Sequence, residues 1–339
     1  MQYKNNSLSV TSNFSIKKCL ELINDSGENT LLVVDKKKKL IGTLSDGDIR
    51  RAILKNFDLK NNIKKYYHKK PYKIFKELNK SEILDILIKK QISIIPLVDN
   101  ENKIIKVYSK KNFLNNNIYS NSIIIMAGGK GLRLRPLTNK IPKPLLIVNK
   151  KPIIKHIIEI AKNQGITNFY ISINYLGHKI KKYLGNGSKL GVKIKYLEEK
   201  KPLGTAGSIS LMKKFNTPII VTNSDIISKI DFKEMIDAHK KNKSLLTIAA
   251  KVFYEKDNYG RIVANGNVVQ KVIEKMEQNI LINTGIYILN PKIKKIIKNS
   301  TYLDMTDLVN RVIKEKMKIN VFPIHEKWVD YGLNIKNIK

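Results

Sequence analysis

The chain has 339 residues, of which 42% are hydrophobic, so it has enough apolar side chains for two buried cores and is not a mainly disordered protein. A single cysteine excludes a disulfide framework and a thiolate metal cluster. No apolar run approaches the roughly 18 residues that cross a bilayer, and the first ten residues do not follow the pattern of a signal peptide. We therefore expect a cytoplasmic protein.

The net charge of +36 comes mainly from lysine, since only six of the 64 basic residues are arginines. The lysines are scattered along the whole chain among asparagine and isoleucine. Proteins that read nucleic-acid sequence favour arginine for bidentate contacts to bases and clustered aromatic residues for stacking, and the sequence has neither cluster. We therefore expect no specific nucleic-acid partner, and only non-specific affinity for polyanions at low salt.

The first third of the chain contains an internal repeat. A buried-strand run ending at Asp35 is followed by a polar turn and a second strand that leads to Ser45. The same arrangement recurs around Asp99 and Ser109, at an offset of 64 residues for both pairs. An amphipathic helical stretch precedes the strands of each copy. A repeated unit of this kind predicts two copies packed face to face.

This repeat resembles a tandem pair of cystathionine-β-synthase (CBS) domains, a family that commonly binds adenine nucleotides between its two copies. The family's Gly-x-x-Ser/Thr-x-x-Asp turn, which places a hydroxyl near phosphate and a carboxylate on ribose, is matched by Gly42, Ser45 and Asp48. The second copy has Lys106 and Asn112 in place of the glycine and the aspartate, and an amide offers fewer acceptor sites than a carboxylate. The resemblance implies one adenine nucleotide at most, bound by Ser45 and Asp48. The alternative is a dimerisation or spacer module without a ligand.

A polar, asparagine-rich stretch at 115–121 is interpreted as a linker between the repeat and a new apolar strand. We expect a tandem CBS pair of the α+β class over residues 1–120, with copies at about 7–60 and 65–120, and a second domain over 122–339. CBS pairs often associate, so we also expect a homo-oligomer.

The second domain opens with a glycine-rich loop after a short apolar strand. Gly128, Gly129 and Gly131 let backbone N–H groups approach an anion without hindrance from a Cβ atom. Arg133 and Lys143 add positive charge for phosphate oxygens. The dinucleotide fingerprint lacks its third glycine here, and the P-loop lacks its Gly-Lys-Ser/Thr. The sequence therefore predicts a phosphate-binding loop of another kind.

This loop resembles that of the sugar-1-phosphate nucleotidyltransferases, whose pattern is Gly-Gly-x-Gly-Thr-Arg-Leu-x-Pro-Leu-Thr followed by Pro-Lys-Pro. The chain departs from it at Leu132, where the family usually has threonine, and thereby loses a hydroxyl but keeps both cations. The resemblance continues in order through further motifs, at 198–208, 218–225, 259–261, 273–275, 282–285 and 328–332. It implies an α/β, Rossmann-like nucleotidyltransferase fold with a mixed, mostly parallel sheet over nearly all of the second domain.

The reaction that the resemblance implies joins a nucleoside triphosphate to a sugar 1-phosphate and gives an NDP-sugar and pyrophosphate. A sugar phosphate is already ionised at neutral pH, so neither a general base nor a covalent nucleophile is required. Catalysis then consists of in-line positioning and neutralisation of charge. Asp225 and Asp330 resemble the two carboxylates that hold Mg²⁺ in this family. The alternative for Asp225 is a helix N-cap.

The resemblance also gives roles to other residues. Arg133 would bind the β- and γ-phosphates, Lys143 the α-phosphate or the sugar phosphate, and Lys275 the sugar phosphate. The nucleotide-binding set is Ala127, Gly128, Gly129, Gly131, Glu199, Pro202, Gly204 and Thr205. The sugar-phosphate set is Gly260, Glu274, Lys275, Asn283 and Thr284. The alternative for Lys275 is a solvated surface charge, and for Trp328 a wall of the site and a core position are equally supported.

The nucleobase is predicted from Glu199, which aligns with a base-edge position in the family. A carboxylate there accepts from guanine N1–H and N2–H₂ together, which favours GTP, although the same residue fits a helix cap or a solvated position. The domain resembles mannose-1-phosphate guanylyltransferase-like proteins, and with a preceding CBS pair it resembles the glucosamine-1-phosphate guanylyltransferases of bacterial legionaminic-acid pathways. We therefore expect GTP and glucosamine 1-phosphate. The alternatives are guanylyl or thymidylyl transfer to another hexose 1-phosphate such as mannose or glucose, and a non-catalytic adenine-nucleotide sensor.

Overall fold

The structure is a computed structural model that describes residues 8–55, 58–110, 119–213, 215–256, 261–273 and 277–333. The chain divides into two compact units, of which the first comprises Met1–Asn115 and Val252–Leu281 and the second comprises Asn116–Lys251 and Ile282–Lys339. Within the described residues, no helix is both long and apolar enough to cross a bilayer.

The first unit alternates short strands and helices. In its N-terminal part the elements are β1 (Ser9–Thr11), α1 (Ile16–Ser26), β2 (Thr30–Val34), β3 (Leu40–Ser45), α2 (Asp46–Leu54), α3 (Lys80–Lys89), β4 (Ile94–Val98) and β5 (Ile104–Ser109). The N-terminus of each helix has a side-chain cap, because Ser15, Ser45 and Asn79 each accept a hydrogen bond from a backbone N–H of the first turn. These caps explain why the helices begin where they do.

The two copies of the repeat are related by the 64-residue offset of the sequence. The hairpin of β2 and β3 corresponds to the hairpin of β4 and β5, and both pairs are antiparallel. Lys39 and Lys103, which occupy equivalent positions, form an antiparallel bridge with one another. Leu32, Leu40, Ile94 and Val98 form one buried cluster, here called the repeat seam. The two hairpins therefore meet through one buried cluster and one bridge, as the internal repeat predicts, while their assignment as two CBS copies stays a prediction.

The second unit is built on a large sheet with helices on both faces. In chain order its elements are β6 (Tyr119–Met126), β7 (Ile147–Val148), β8 (Lys151–Pro152), α4 (Ile153–Asn163), β9 (Ile166–Ile173), α5 (Gly177–Leu184), β10 (Lys193–Glu198), α6 (Gly204–Gly207), β11 (Ile219–Asn223), β12 (Ile226–Ser228), α7 (Phe232–Lys241), β13 (Leu246–Lys256), β16 (Glu277–Leu289), α8 (Met305–Lys314), β17 (Ile319–Ile324) and β18 (Trp328–Asp330). The antiparallel hairpin of β14 (Arg261–Asn265) and β15 (Val268–Ile273), which lies between β13 and β16 in the chain, belongs to the first unit.

Among the described residues, the sheet has seven strands in the order β10-β9-β6-β11-β16-β13-β17. The pairs β10/β9, β9/β6, β6/β11 and β13/β17 are parallel, whereas β11/β16 is antiparallel. The predicted α/β class with a mixed, mostly parallel sheet is confirmed.

The sheet is buried on both faces, as its nearly continuous apolar strands require. Along β6, Ile123 and Ile125 belong to the core cluster that also contains the apolar faces of α4, α5 and α7. Ile124 and Met126 belong to the cluster on the other side, with α8. Alternate side chains of a strand point to opposite faces, so one apolar run contributes to both layers of core.

The carboxyl ends of three strands in the parallel half of the sheet lead into polar loops. β6 ends at Met126 before the glycine-rich loop, β10 ends at Glu198, and β11 ends at Asn223. Ligands of open α/β sheets bind at such an edge. The short antiparallel pair of β12 and β18, in which Ile226 is the register partner of Asp330, brings the C-terminal part of the chain to the same region.

Candidate active site

A cleft of about 360 Å³ lies in the second unit, where these strand ends meet. Nine residues of the predicted site line it, namely Gly128, Gly129, Gly131, Lys143, Glu199, Pro202, Gly204, Thr205 and Asp225. Five residues without a predicted role line it as well, namely Met126, Asn223, Ser224, Tyr302 and Asp304. Segments distant in the sequence thus converge on one cavity.

The glycine-rich loop is held by hydrogen bonds to neighbouring segments, and its three glycines line the cleft. The Thr138 hydroxyl donates to the Gly131 carbonyl at 2.9 Å. The Tyr175 hydroxyl donates to the Asn139 carbonyl at 3.0 Å. Ala127 is buried and its N–H donates to the Ser172 carbonyl at 2.9 Å, so it belongs to the support of the loop. Arg133 follows the glycines in an exposed turn. Leu132, the departure from the family pattern, is 59% exposed.

Charged groups are concentrated around Asp225 and Asp330. The Lys143 ammonium forms an ion pair with the Asp225 carboxylate, and both side chains are largely buried. Burial, followed by the charge of Asp225, raises the pKa of the Asp330 carboxyl, while the Gly332 N–H, Lys143 and Arg133 act in the opposite direction. The two carboxyl groups and the two cations therefore belong to one electrostatic cluster.

Gly332 closes this cluster on one side. Its N–H donates to Asp330 Oδ1 at 2.6 Å. A Cβ atom at this position would lie 2.5 Å from Lys143 Nζ and 2.7 Å from Asp225 Oδ2, so only glycine leaves space for the charged groups. Asp225 is not a helix N-cap, because α7 is capped by Asp231. That alternative for Asp225 is thereby removed.

The donor set fits a magnesium ion. Within the described residues, no group of three or more His, Cys, Asp or Glu side chains is arranged as a metal site. Magnesium is commonly held by one or two carboxylates, while water and phosphate oxygens complete its octahedron. Asp225 and Asp330 are two such carboxylates beside a phosphate-type loop, and the charge of Asp225 contributes to the raised pKa of Asp330.

Glu199 is fixed in the cleft wall by two donors. The Ser172 hydroxyl donates to its Oε1, and the Leu203 N–H donates to its Oε2 at 3.0 Å. A carboxylate has about four acceptor positions, so two remain after these contacts. Glu199 neither caps a helix nor lies in open solvent, since its side chain is half-buried next to the glycine-rich loop.

The predicted sugar-phosphate residues are only partly described. Asn283 donates through Nδ2 to the Tyr287 hydroxyl at 2.8 Å and accepts from the Gly285 N–H at 3.1 Å. Thr284 is buried and its hydroxyl donates to the Ala249 carbonyl at 2.7 Å, so any contact with a sugar would come from its backbone. Trp328 donates to the Thr284 carbonyl at 3.1 Å and packs partly buried against the core. Gly260, Glu274 and Lys275 lie outside the described residues.

In the first unit, the predicted nucleotide ligands Ser45 and Asp48 form a capping box. The Asp48 N–H donates to the Ser45 hydroxyl oxygen at 3.2 Å, and the Ser45 N–H donates to Asp48 Oδ2 at 2.9 Å. The two side chains therefore stabilise the N-terminus of α2 whether or not a ligand is bound. In the second copy, the Ser109 hydroxyl donates to the Glu28 carboxylate at 2.8 Å.

The sequence analysis missed the strand-end and loop residues that complete the cleft. Asn223 and Ser224 directly precede Asp225 in the motif at 218–225. Their position at the end of a buried strand could have predicted that they line the cleft. Tyr302 and Asp304 precede α8 and belong to no motif that we recognised. Only the contacts of the fold bring them to the cleft.

Comparison with known proteins identifies the family. Residues 122–336 match the family model for nucleotidyl transferases, and residues 3–55 match the model for a CBS domain. The chain therefore belongs to the nucleotidyl transferase family and carries a CBS domain ahead of that region.

Individual relatives agree with this assignment. The chain is 36% identical over 222 residues to the mannose-1-phosphate guanyltransferase of Saccharomyces cerevisiae, covering 62% of this chain and 60% of that protein. It is 34% identical over 223 residues to the Candida albicans protein of the same name. The chain thus spans about 60% of the length of these curated relatives. The crystal structure of HddC from Yersinia pseudotuberculosis complexed with GMP-PN matches with a TM-score of 0.50 and 25% identity, covering 63% of this chain and 94% of that one.

Proposed function

We propose that the chain transfers a nucleotidyl group from a nucleoside triphosphate, with GTP favoured, to a sugar 1-phosphate, and releases pyrophosphate. The observation that carries this proposal is the ion pair of Lys143 and Asp225, which line the cleft together with the glycine-rich loop and have Asp330 beside them. Membership of the nucleotidyl transferase family supports the same reaction class.

The chemistry needs positioning and charge neutralisation more than proton transfer. The sugar phosphate arrives as an anion and attacks the α-phosphorus in line with the leaving pyrophosphate. Lys143 and Arg133 neutralise phosphate charge, and the glycine-rich loop offers backbone N–H groups. Asp225 and Asp330 would hold Mg²⁺, which supplies neutralisation between adjacent phosphates when it is bound. Lys275, outside the described residues, is proposed as a further cation for the sugar phosphate.

GTP is favoured because Glu199 presents a fixed carboxylate to the cleft. Two remaining acceptor positions match the two adjacent donors of the guanine edge, N1–H and N2–H₂. The names of the relatives support the same base, since the yeast proteins are mannose-1-phosphate guanyltransferases and HddC was crystallised with GMP-PN. Thymidylyl transfer is the alternative for the base.

For the sugar, we favour glucosamine 1-phosphate, in a pathway of the legionaminic-acid type, because a CBS domain precedes the transferase region. The names of the curated relatives favour mannose 1-phosphate instead, which makes it the second candidate. The sugar-reading segment around Gly260 and Glu274 lies outside the described residues, so the choice between the two rests on enzyme assays.

The CBS pair is proposed to bind one adenine nucleotide at Ser45 and Asp48 and to regulate the transferase region. Support comes from the position of both side chains at the N-terminus of α2, where backbone N–H groups and the helix dipole favour an anion. A spacer without ligand is the alternative, and the capping box by itself fits it equally well.

The experiment that tests the reaction measures pyrophosphate release with Mg²⁺ for GTP, dTTP, UTP, CTP and ATP. Each nucleotide is combined with the 1-phosphates of mannose, glucose, glucosamine and N-acetylglucosamine. A maximum with GTP and glucosamine 1-phosphate supports the whole proposal, and a maximum with another sugar corrects the acceptor only. No release with any combination, with or without added AMP, would leave the non-catalytic nucleotide sensor as the better explanation.

A further inference from the structure

The turn at 203–207, which lines the cleft through Gly204 and Thr205, is hydrogen-bonded to a segment about one hundred residues later in the chain. The Ala206 and Gly207 N–H groups both donate to the Leu303 carbonyl at 2.9 Å. In return, the Leu303 N–H donates to the Leu203 carbonyl at 2.9 Å. Three backbone hydrogen bonds therefore hold the 203–207 turn against the 301–305 segment.

Thr205 and Asp304 connect the two segments through their side chains. The Thr205 N–H donates to Asp304 Oδ1 at 3.1 Å, and the Met305 N–H donates to the Thr205 hydroxyl at 2.8 Å. Asp304 occupies the N-cap position of α8 but makes no side-chain cap bond to its own helix. The Thr205 hydroxyl thus accepts from a backbone N–H in the first turn of α8. The Asp304 carboxylate accepts from a backbone N–H of the 203–207 turn.

The second carboxylate oxygen of Asp304 and the packing of the turn fix this arrangement further. The Tyr302 hydroxyl donates to Asp304 Oδ2 at 2.7 Å. Gly204 has φ +76°, and a Cβ atom there would lie 2.6 Å from the Leu303 carbonyl oxygen. Glycine at 204 therefore allows both the left-handed backbone conformation of the turn and its close packing against the 301–305 segment.

By its charge alone, a carboxylate in the cleft weakens the binding of an anionic substrate. Asp304 lines the cleft together with the glycine-rich loop and lies in the same wall as Gly204 and Thr205. A carboxylate at this position therefore lowers affinity unless another contact that it makes exceeds the repulsion of phosphate. The hydrogen bond to the Thr205 N–H supplies such a benefit, because it orders the turn before the substrate arrives.

We infer that Asp304 is a positioning residue, which holds the 203–207 turn through Thr205 in the conformation that receives the nucleotide. The inference rests on the proposed function for the identity of the ligand, and it adds a determinant of nucleotide affinity outside the recognised motifs. The residue acts through the turn and is not assigned a contact with the reacting atoms.

The test compares Asp304→Ala with Asp304→Asn, because the amide keeps an acceptor for the Thr205 N–H while removing the charge. We expect Asp304→Ala to raise the Kd for GTP and the KM for GTP about tenfold, with the KM for the sugar 1-phosphate changed less than about twofold. Asp304→Asn is expected to bind GTP within about threefold of wild type, or more tightly. A purely electrostatic role predicts tighter GTP binding by both variants, so weaker binding by Asp304→Ala is the result that distinguishes positioning from charge.

Three further measurements separate positioning from general stability. Amide hydrogen exchange of Asp304→Ala without nucleotide is expected to become faster at 203–207 and to stay unchanged in β6. Thr205→Val removes the hydroxyl that accepts from the Met305 N–H, whereas Asp304→Ala removes the acceptor of the Thr205 N–H. Because both bonds join the same two segments, the double variant is expected to lose less GTP affinity than the sum of the two single losses. The exposed Asp307→Asn, in the first turn of α8, is the matched control and is expected to behave as wild type in every measurement.

Two results would overturn the inference. One is wild-type GTP affinity in Asp304→Ala despite a lower Tm. The other is unchanged amide exchange at 203–207. If wild type itself neither binds a nucleotide nor releases pyrophosphate, the proposed function fails, and the exchange measurement still decides whether Asp304 holds the turn.

Discussion

Asp330 has a raised pKa because its carboxyl group is partly buried and because Asp225 lies beside it. Two like charges are brought together by the pairing of β12 with β18, in which the Tyr331 N–H also donates to the Asp225 carbonyl at 3.0 Å. A fold that brings two carboxylates together in this way needs positive charge to balance them, which Lys143 supplies by an ion pair with Asp225 and Arg133 supplies from a greater distance.

Replacing either carboxylate by its amide should disable the reaction without unfolding the protein. We expect Asp225→Asn and Asp330→Asn each to lower kcat for pyrophosphate release by about 100-fold or more, since charge stabilisation carries most of the proposed chemistry. EDTA is expected to abolish wild-type activity, and added Mg²⁺ to restore it. Asp307→Asn is the matched control, and wild-type activity in Asp225→Asn would contradict the metal assignment.

Gly332→Ala tests whether space beside the cluster matters for activity. The added methyl would displace the ends of two flexible side chains, Lys143 and Asp225, and not the backbone. We therefore expect kcat to fall by about tenfold or more, while Tm changes by only about 2–4 °C. A parallel fall of stability and activity would instead indicate that the loop as a whole has rearranged. Circular dichroism melting alongside the pyrophosphate assay makes the comparison.

Glu199→Gln should change the choice of base. The glutamine keeps one acceptor oxygen but cannot accept two guanine donors at once, so kcat/KM for GTP is expected to fall by about 10- to 100-fold. The fall for UTP and dTTP should be smaller, which lowers the ratio of GTP to UTP activity. Glu198→Gln, the exposed neighbour that pairs with Lys181, is the control. Equal losses for every base would assign Glu199 to support of the loop alone.

The two capping boxes of the first unit provide a matched test of ligand binding. Asp48→Ala and Glu82→Ala each remove the carboxylate of a capping box at the third residue of a helix, in α2 and in α3, and each should lower the free energy of unfolding by about 1 kcal/mol. If the first copy binds an adenine nucleotide, only Asp48→Ala should also weaken AMP binding by about tenfold or more, as measured by calorimetry on the full chain. No AMP binding by wild type would support the spacer.

His239 should make the stability of the second unit depend on pH. Burial, together with Lys240, lowers the pKa of its imidazole to about 4 from an ordinary 6.5, and its Nδ1 lies 2.8 Å from the Thr247 hydroxyl oxygen. The unfolded chain therefore takes up a proton below pH 6.5 that the folded chain refuses until about pH 4. Stability from this group is complete above pH 6.5 and falls as the pH drops towards 4, by about 3 kcal/mol in total.

The measurement is urea unfolding at several pH values between 4 and 7. His239→Gln, which cannot take up this proton, should show a flatter dependence over this range, whereas the exposed His178→Gln should follow wild type. A profile of His239→Gln that is as steep as wild type would mean that other groups cause the loss of stability.

The glycine-rich loop and the buried strand before it could be predicted from the sequence because local signals carry them, whereas the strand order of the sheet could not. An apolar run such as Ile123–Ile125 followed by Gly128 and Gly129 indicates a buried strand that ends at an anion site, whatever the rest of the chain does. The repeat offset of 64 residues, read from Asp35 and Asp99 and from Ser45 and Ser109, is also visible in the sequence, and the structure adds a bridge between Lys39 and Lys103 at the same offset.

Tyr302 and Asp304 could not be predicted in the same way. Asp304 before α8 has the sequence pattern of an ordinary helix cap, and only the tertiary contact with Thr205 gives it another partner. The family motifs place Thr284 in the sugar-phosphate set, but they do not reveal that its hydroxyl donates to the Ala249 carbonyl. Gly260, Glu274 and Lys275 remain predictions.

The repeat seam makes the two hairpins of the first unit depend on each other. Leu32 and Leu40 from one hairpin are covered by Ile94 and Val98 from the other, although each half also has a buried cluster of its own. Separating the two halves would therefore expose four apolar side chains to water, which opposes their independent folding. The motif residues Ser45 and Lys106 do not belong to the seam, so a change in either turn leaves the contact between the hairpins intact.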